Sequence, residues 1–251
     1  MEAVILAAGY GSRLGHVTDE IPKSLINIGG KTLLDRTLKI LRRNNVRDVV
    51  IVTGYRRDKI LQHLDERYSL NVNFVHNQNY DTTNNIYSLY LAKKALSGSD
   101  FYIINSDVLF HERIFQYLHS SRKKGLILSV DTTKNLTTES MKVVSIGEKL
   151  VWISKEIPVR EANGEYIGLA KVTEEEHSKL FRSLKLVMKH KGVHVFYEEA
   201  FQHMMDTGSN VTFESTRGLP WIEIDTLEDL RIAKEKVYPR ITRARYSESV
   251  Y

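Results

Sequence analysis

The chain contains no cysteine among its 251 residues. Disulfides, thiolate nucleophiles and cysteine-bound zinc are therefore excluded. Proline is scarce, with four residues, and no Pro/Gly-rich linker, repeat or low-complexity tract divides the sequence. One domain with a short tail is expected. No window approaches the roughly eighteen apolar residues that a membrane-spanning helix needs. No cleavable signal precedes the first apolar run, so a cytoplasmic protein is expected. The net charge is +5, yet long basic runs and basic–aromatic repeats are missing. That pattern argues against nucleic acid and for attraction of a small anion. The 42% hydrophobic and 27% charged content suits a soluble globular chain, and its length allows a sizeable core.

Several catalytic signatures are also missing. No G-x-x-x-x-G-K-[ST] run is present, and Gly9-x-Gly11-x-x-Leu14 lacks the third glycine of a dinucleotide fingerprint, although Gly15 sits one place late. There is no His-Glu-x-x-His and no nucleophile elbow. His190 and His194 stand four apart, but Gly192 between them weakens a shared helix. The nine histidines are read as structural or solvated.

What is present begins near the N-terminus. Val4, Ile5 and Leu6 form a short apolar run suited to a buried parallel strand. It leads through Ala7 and Ala8 into Gly9-Tyr10-Gly11-Ser12-Arg13-Leu14, and Pro22-Lys23-Ser24-Leu25 follows. The small residues let backbone amides approach phosphate oxygens, and both glycines can take positive φ. Arg13 offers a planar, permanently charged fork, and Lys23 a mobile point charge. Together they suit a triphosphate.

The first half alternates strand-like and helix-like segments. Apolar strands are expected at Asp48–Thr53, Val72–Val75 and Phe101–Asn105. Helices are expected over Leu33–Arg43 with Thr32 as cap, over Asp58–Tyr68, and over Asn84–Leu96. This rhythm implies a parallel sheet whose ligands lie beyond the strands' carboxyl ends. The Gly9–Arg13 loop, Gly54-Tyr55 and Asn105-Ser106-Asp107 would then share one cleft. In the second half, strands are expected at Leu126–Val130, Lys142–Ile146, Val151–Ile153, Tyr166–Val172 and Trp221–Ile224. Thr173–Lys189 reads as a helix with a Thr173/Glu176 capping box, and Thr226–Lys236 as another. Pro239 is expected to end regular structure. The expected division is one domain over 1–239, then a tail over 240–251.

Asp107 and Asp225 each follow a strand. Two such carboxylates can hold Mg²⁺ against substrate phosphates. Either could instead cap the next segment, and Asp225 precedes a helix start where an acid is favoured.

The L-A-A-G-x-G-S-R-L and P-K-S-L segments resemble the signature of the nucleotidyltransferases that activate sugar-1-phosphates and small phosphorylated alcohols. The resemblance implies a Rossmann-like, doubly wound α/β fold with a mixed, mostly parallel sheet, in which 1–107 is mainly the nucleotide-binding half and 108–239 mainly the acceptor-binding half. It implies that Lys23 and Arg13 are catalytic, with Lys23 meeting charge at the α-phosphate. Leu6, Ala7, Ala8, Gly9, Gly11, Ser12, Gly54, Tyr55, Asn84 and Ser106 are expected around the nucleotide, and Asp107 and Asp225 at the metal. Trp152-Ile153-Ser154-Lys155 resembles the acceptor segment of the sugar enzymes, with Lys155 in the place of its lysine and Ser154 where a glutamate is usual. That departure argues against a hexose. Asn84-Asn85-Ile86-Tyr87-Ser88-Leu89 and Glu139-Ser140-Met141-Lys142 resemble the CTP-using branch that activates phosphocholine and aminoalkyl phosphonates. Lys142 would approach the acceptor. A cationic head group would want aromatic faces and a carboxylate, for which Tyr87, Trp152, Tyr166, Trp221, Glu165 and Glu223 are candidates. The expected partners are CTP and a small phosphate or phosphonate acceptor, and a homodimer is compatible with them. A sugar- or inositol-1-phosphate enzyme, or a nucleotide sensor without activity, are the alternatives.

Overall fold

The computed structural model describes residues 1–64 and 69–246. In chain order the strands are β1 (Glu2–Ala7), β2 (Asn27–Ile28), β3 (Lys31–Thr32), β4 (Asp48–Thr53), β5 (Asn71–His76), β6 (Phe101–Asn105), β7 (Val108–Phe110), β8 (Leu126–Asp131), β9 (Lys142–Ile146), β10 (Lys149–Ser154), β11 (Gly164–Val172), β12 (Val211–Ser215) and β13 (Trp221–Glu223). The helices are α1 (Leu33–Arg43), α2 (Arg57–His63), α3 (Asn85–Leu91), α4 (Glu112–Ser120), α5 (Glu174–Lys191), α6 (Glu198–Asp206), α7 (Leu227–Ile232) and α8 (Tyr238–Tyr246).

β1 lies between β4 and β6, parallel to both. Its alternating side chains serve two cores. Ala3 and Ile5 pack with α1, α2 and α4, whereas Val4 and Leu6 pack with α3, α5 and α6. A strand buried on both faces reads as an unbroken apolar run, which is why this one is visible in the sequence. The main sheet follows the order β5-β4-β1-β6-β11-β8-β12-β10-β9. Only β10 and β11 run against the other strands. Helices cover both faces, as a doubly wound fold requires. β9 also pairs with β11, so β11, β8, β12, β10 and β9 close into a ring. That closure was not expected.

Thr32 caps α1 as expected. Its hydroxyl accepts from the Asp35 amide at 3.0 Å, and the Asp35 carboxylate accepts from the Thr32 amide at 3.1 Å. The register Ala7↔Thr53 and Leu6↔Asn105 brings three strand ends level, beneath one cleft.

Four expectations change. The Thr173/Glu176 box does not form: the Thr173 hydroxyl bonds to Gly125 instead, and Glu176 accepts from Ser209 and Lys179. The α5 helix still starts there, with Thr173 held by Gly125 from the bend just before β8. Trp221–Glu223 stays out of the main sheet and pairs with β7 as an antiparallel ribbon. Helix α2 stops at His63, and the rest of the segment expected to be helical includes residues 65–68, outside the described set. Finally, Pro239 sits inside a helix, and residues 240–246 of the expected tail continue it. A π-helical turn over Ala233–Val237 precedes it, and a residue lacking an N–H is tolerated in the first turn that follows. Ile241 is then buried in a third core with Leu14, Ile28, Leu109 and Ile224. No helix among the described residues is long and apolar enough to cross a membrane.

Candidate active site

The glycine loop leaves β1 at Ala7 and turns at Gly11, whose φ is +71°. A Cβ there would fall 2.6 Å from Lys23 Cγ, so both conformation and contact demand glycine. Gly9 does not need positive φ, and a Cβ on it would meet no atom within 4 Å. Its value is open space facing the cleft. Ser12–Thr18 then forms a 3-10 turn. The Thr18 hydroxyl donates to the carbonyls of Gly11 (3.0 Å) and Gly15 (3.3 Å), and Leu14 anchors the turn in the third core. Arg13 projects from this turn, about half exposed.

Lys23 begins a short turn after the extended Pro22. Its ammonium donates to Asp107 Oδ2 at 3.3 Å and to Asp225 Oδ1. Arg13 Nη2 bonds Asp225 Oδ2 at 2.6 Å. The β7–β13 ribbon creates this meeting: Val108 faces Glu223, and the Ile224 amide donates to the Asp107 carbonyl at 3.0 Å. Residues far apart in sequence are thus aligned by antiparallel register. Capping does not use up Asp225, because Thr226 and Asp229 form the box that starts α7. Carboxylate oxygens of Asp107, Glu223 and Asp225 lie within 4.8 Å of one another. An all-oxygen, triply acidic donor set fits a hard divalent cation.

The charges tune each other. Burial opposes the Lys23 ammonium, but Asp107 and Asp225 outweigh it and raise its pKa. Burial likewise opposes ionised Asp225, yet Lys23 and Arg13 pull its pKa below the ordinary value. Glu223 opens onto the cleft, but its carboxyl is hemmed in by protein and faces Asp107 and Asp225. Confinement first, and those carboxylates second, hold its pKa above the usual range.

One cavity of about 270 Å³ joins these groups. Leu6, Ala7, Ala8, Gly9, Gly11, Arg13, Lys23, Asn84, Ser106, Asp107, Lys155, Glu223 and Asp225 all line it. Other expected residues do not. Ser12 stays outside. Gly54 and Tyr55 lie behind the loop, where they line a separate hollow with Tyr80. Tyr87 also lies off the cavity wall, and Trp152 is 39% exposed elsewhere, because a bulge between Leu150 and Trp152 turns it outward. Glu165 faces an adjoining cavity and pairs with Lys134 at 3.3 Å. Trp221 donates its indole N–H to Asp131 at 2.5 Å. Lys142 is 1% exposed, with its ammonium on the carbonyls of Thr137, Thr138 and Ser140 at 3.0–3.3 Å. Three acceptors satisfy three donors, so Lys142 is a brace rather than an acceptor ligand.

Asn105 lines the cavity as expected of the Asn105-Ser106-Asp107 segment. Sequence reasoning missed most of the far wall, where Tyr80, Thr83, Ser88, Met141, Phe196 and Glu198 line the cavity too. The Tyr166 and Tyr197 hydroxyls meet at 3.0 Å, and Tyr197 donates to Asn105 Oδ1 at 3.0 Å. Lys155 stands 5.2 Å from the Phe196 ring. Glu198 opens α6, is 5% exposed, and its Oε2 has no hydrogen-bond partner. Burial raises its pKa to about 7. The Phe196-Tyr197-Glu198 run, just past a helix-ending glycine, was the signal available.

A family model described as nucleotidyl transferase matches residues 2–238. The chain belongs to that family. Choline-phosphate cytidylyltransferase of Haemophilus influenzae is 40% identical over 115 residues, 46% of this chain and 47% of that one. Choline-phosphate cytidylyltransferase of Streptococcus pneumoniae is 36% identical over 116 residues, 46% and 48% of the two chains. The chain thus spans about half the length of these relatives. The solved inositol-1-phosphate CTP transferase from T. maritima superposes with a TM-score of 0.80 over 96% of this chain and 95% of that one. At 23% identity that likeness speaks for the fold.

The brace role of Lys142 makes a prediction. Lys142→Met removes the three bonds to these carbonyls, of which the one to Ser140 is buried, and should lower stability by about 2 kcal/mol in denaturant unfolding. The KM of the acceptor should stay unchanged, whereas an acceptor ligand would raise it.

Proposed function

We propose that the protein is a cytidylyltransferase that joins CMP from CTP to a small phosphorylated amine of phosphocholine type, with release of pyrophosphate. Arg13 and the loop amides grip the β- and γ-phosphates. Lys23 meets the charge that grows at the α-phosphate when an acceptor phosphate oxygen attacks it. Lys155 holds the acceptor phosphate. Asp107, Glu223 and Asp225 would hold Mg²⁺, which when bound would neutralise phosphate charge. The protein's own contribution is placement: substrates are fixed in line between two cationic walls. Residues up to Asp107 form most of the nucleotide end, and Met141, Lys155, Tyr166, Phe196 and Glu198 form most of the acceptor end.

The observation that carries this reading is Glu198. A carboxyl 5% exposed, with an unpartnered oxygen and aromatic neighbours Tyr197 and Phe196, lines the same cavity as Arg13 and Lys23. A cationic head group supplies the missing partner and meets the aromatic side chains that line the cavity there, Phe196 and Tyr166. The kinship with choline-phosphate cytidylyltransferases supports the same choice.

Pyrophosphate release over a panel of nucleoside triphosphates and acceptors tests the proposal. CTP with phosphocholine or an aminoalkyl phosphonate should turn over fastest. Faster turnover with inositol-1-phosphate would shift the acceptor to polyols, and no turnover with any pair would remove the enzyme reading. Lys23→Ala should cut kcat by about a hundredfold or more while nucleotide affinity changes far less, because its charge acts on the transition state. Equal losses in both would make Lys23 a simple binding group.

Glu198 sets a pH dependence. Its pKa of about 7 keeps it neutral in acid, and a cation requires the ionised form. The KM for phosphocholine should therefore fall about tenfold between about pH 6 and pH 8. Glu198→Gln should flatten that slope, measured against the same acceptor.

A further inference from the structure

Gly54, Tyr55 and Arg56 touch the glycine loop at its start, middle and end. At the start, the Tyr55 amide donates to the Ala8 carbonyl at 3.0 Å. In the middle, the Tyr10 ring meets the Tyr55 ring edge-on, with centroids 4.4 Å apart. At the far end, the Tyr55 hydroxyl donates to the Asp19 carbonyl at 2.5 Å, and Arg56 Nη2 donates to the same oxygen at 3.1 Å. The approach is close enough that a Cβ on Gly54 would lie 2.6 Å from the Ala8 carbonyl oxygen. Arg56 holds a φ of +46°, unusual for a residue with a side chain, while reaching Asp19. None of these three residues lines the cleft.

From this we infer that residues 54–56 form a clasp that keeps the glycine loop in its phosphate-binding shape, with Tyr55 as the positioning residue. The physical need is entropic. Ala8 and Asp19 are the two limbs of one loop, and a loop left free would have to be ordered by the incoming nucleotide at the expense of affinity. Leu14 and Thr18 hold the loop from within. The outer face, with Tyr10 43% exposed, has the clasp as its support. The phenol matters beyond its ring. Phenylalanine would keep the contact with Tyr10 and lose the bond to Asp19, and the two effects can be separated.

The inference rests on the loop's role in nucleotide binding, so its test has an arm that needs no activity. Hydrogen exchange of the unliganded full chain should show faster exchange over residues 9–20 in Tyr55→Ala. Tyr55→Phe and Arg56→Ala should fall between it and the parent, and exchange elsewhere should match the parent. In steady-state assays with CTP and phosphocholine, Tyr55→Ala should raise the nucleotide KM about tenfold and Tyr55→Phe about threefold. The acceptor KM and kcat should move by less than about twofold, since the clasp touches neither the acceptor end nor the reacting atoms. Unchanged exchange over 9–20 in Tyr55→Ala would overturn the clasp. So would faster exchange spread over the whole chain with a matching fall in Tm, which would make Tyr55 simple packing. If the parent protein turns over no substrate, the proposed activity falls, and the exchange pattern alone still decides the clasp.

Discussion

The site depends on one balance of charge: the Lys23 ammonium held among carboxylates at the edge of the protein interior. Lys23 is 14% exposed, and burying an ammonium without partners is costly. Asp107 and Asp225 compensate only because they arrive from two strands of an antiparallel ribbon whose register sets them side by side. Arg13 completes the arrangement from the loop. Two cations and three carboxylates thus share a small volume. A magnesium–triphosphate complex carries the complementary charges, so its arrival would exchange partners rather than strip any group bare.

The same balance explains the position of the rest. The glycine loop must bring Arg13 over the carboxylates while clearing the Lys23 side chain, which Gly11 alone permits. The third core then ties this loop to β7, β13 and the C-terminal helices through Leu14, Leu109, Ile224 and Ile241. Segments from both ends of the chain therefore fix one constellation. The expectation of a tail after Pro239 changes over residues 240–246 for this reason: α8 carries part of the core beneath the site, and residues 247–251 lie outside the described set.

Legibility in the sequence followed burial geometry. β1, β4 and β6 stand out because strands covered on both faces are unbroken apolar runs, and the loop between them and the cleft carries glycines and cations at readable spacing. Asp107 and Asp225 were readable as strand-end acids, although the ribbon that joins them was not. Val108–Phe110 has too few residues for a periodic signal, so the strand expected at Trp221–Ile224 could not be assigned to it as a partner. Trp152 misled because one bulge reverses which face a residue occupies. Lys142 misled because a lysine in a candidate strand looks functional until its three carbonyl partners are seen. Glu198 went unnoticed because its chemistry comes from burial, which single-sequence reasoning cannot locate at a helix start.

The ring formed by β11, β8, β12, β10 and β9 has a consequence for how copies of this chain can meet. A sheet normally ends in two rows of unsatisfied backbone groups, each able to template another strand. Here one end folds back on itself, and the Asn163 side chain accepts from the Ser145 amide at 2.9 Å and donates to its carbonyl at 3.2 Å. Among the described residues, strand addition to the main sheet is left with the β5 edge, where Asn71, Asn73 and His76 stand exposed. Polar side chains there favour water over a neighbouring strand. The ring thus halves the exposed sheet edge that a second copy could extend.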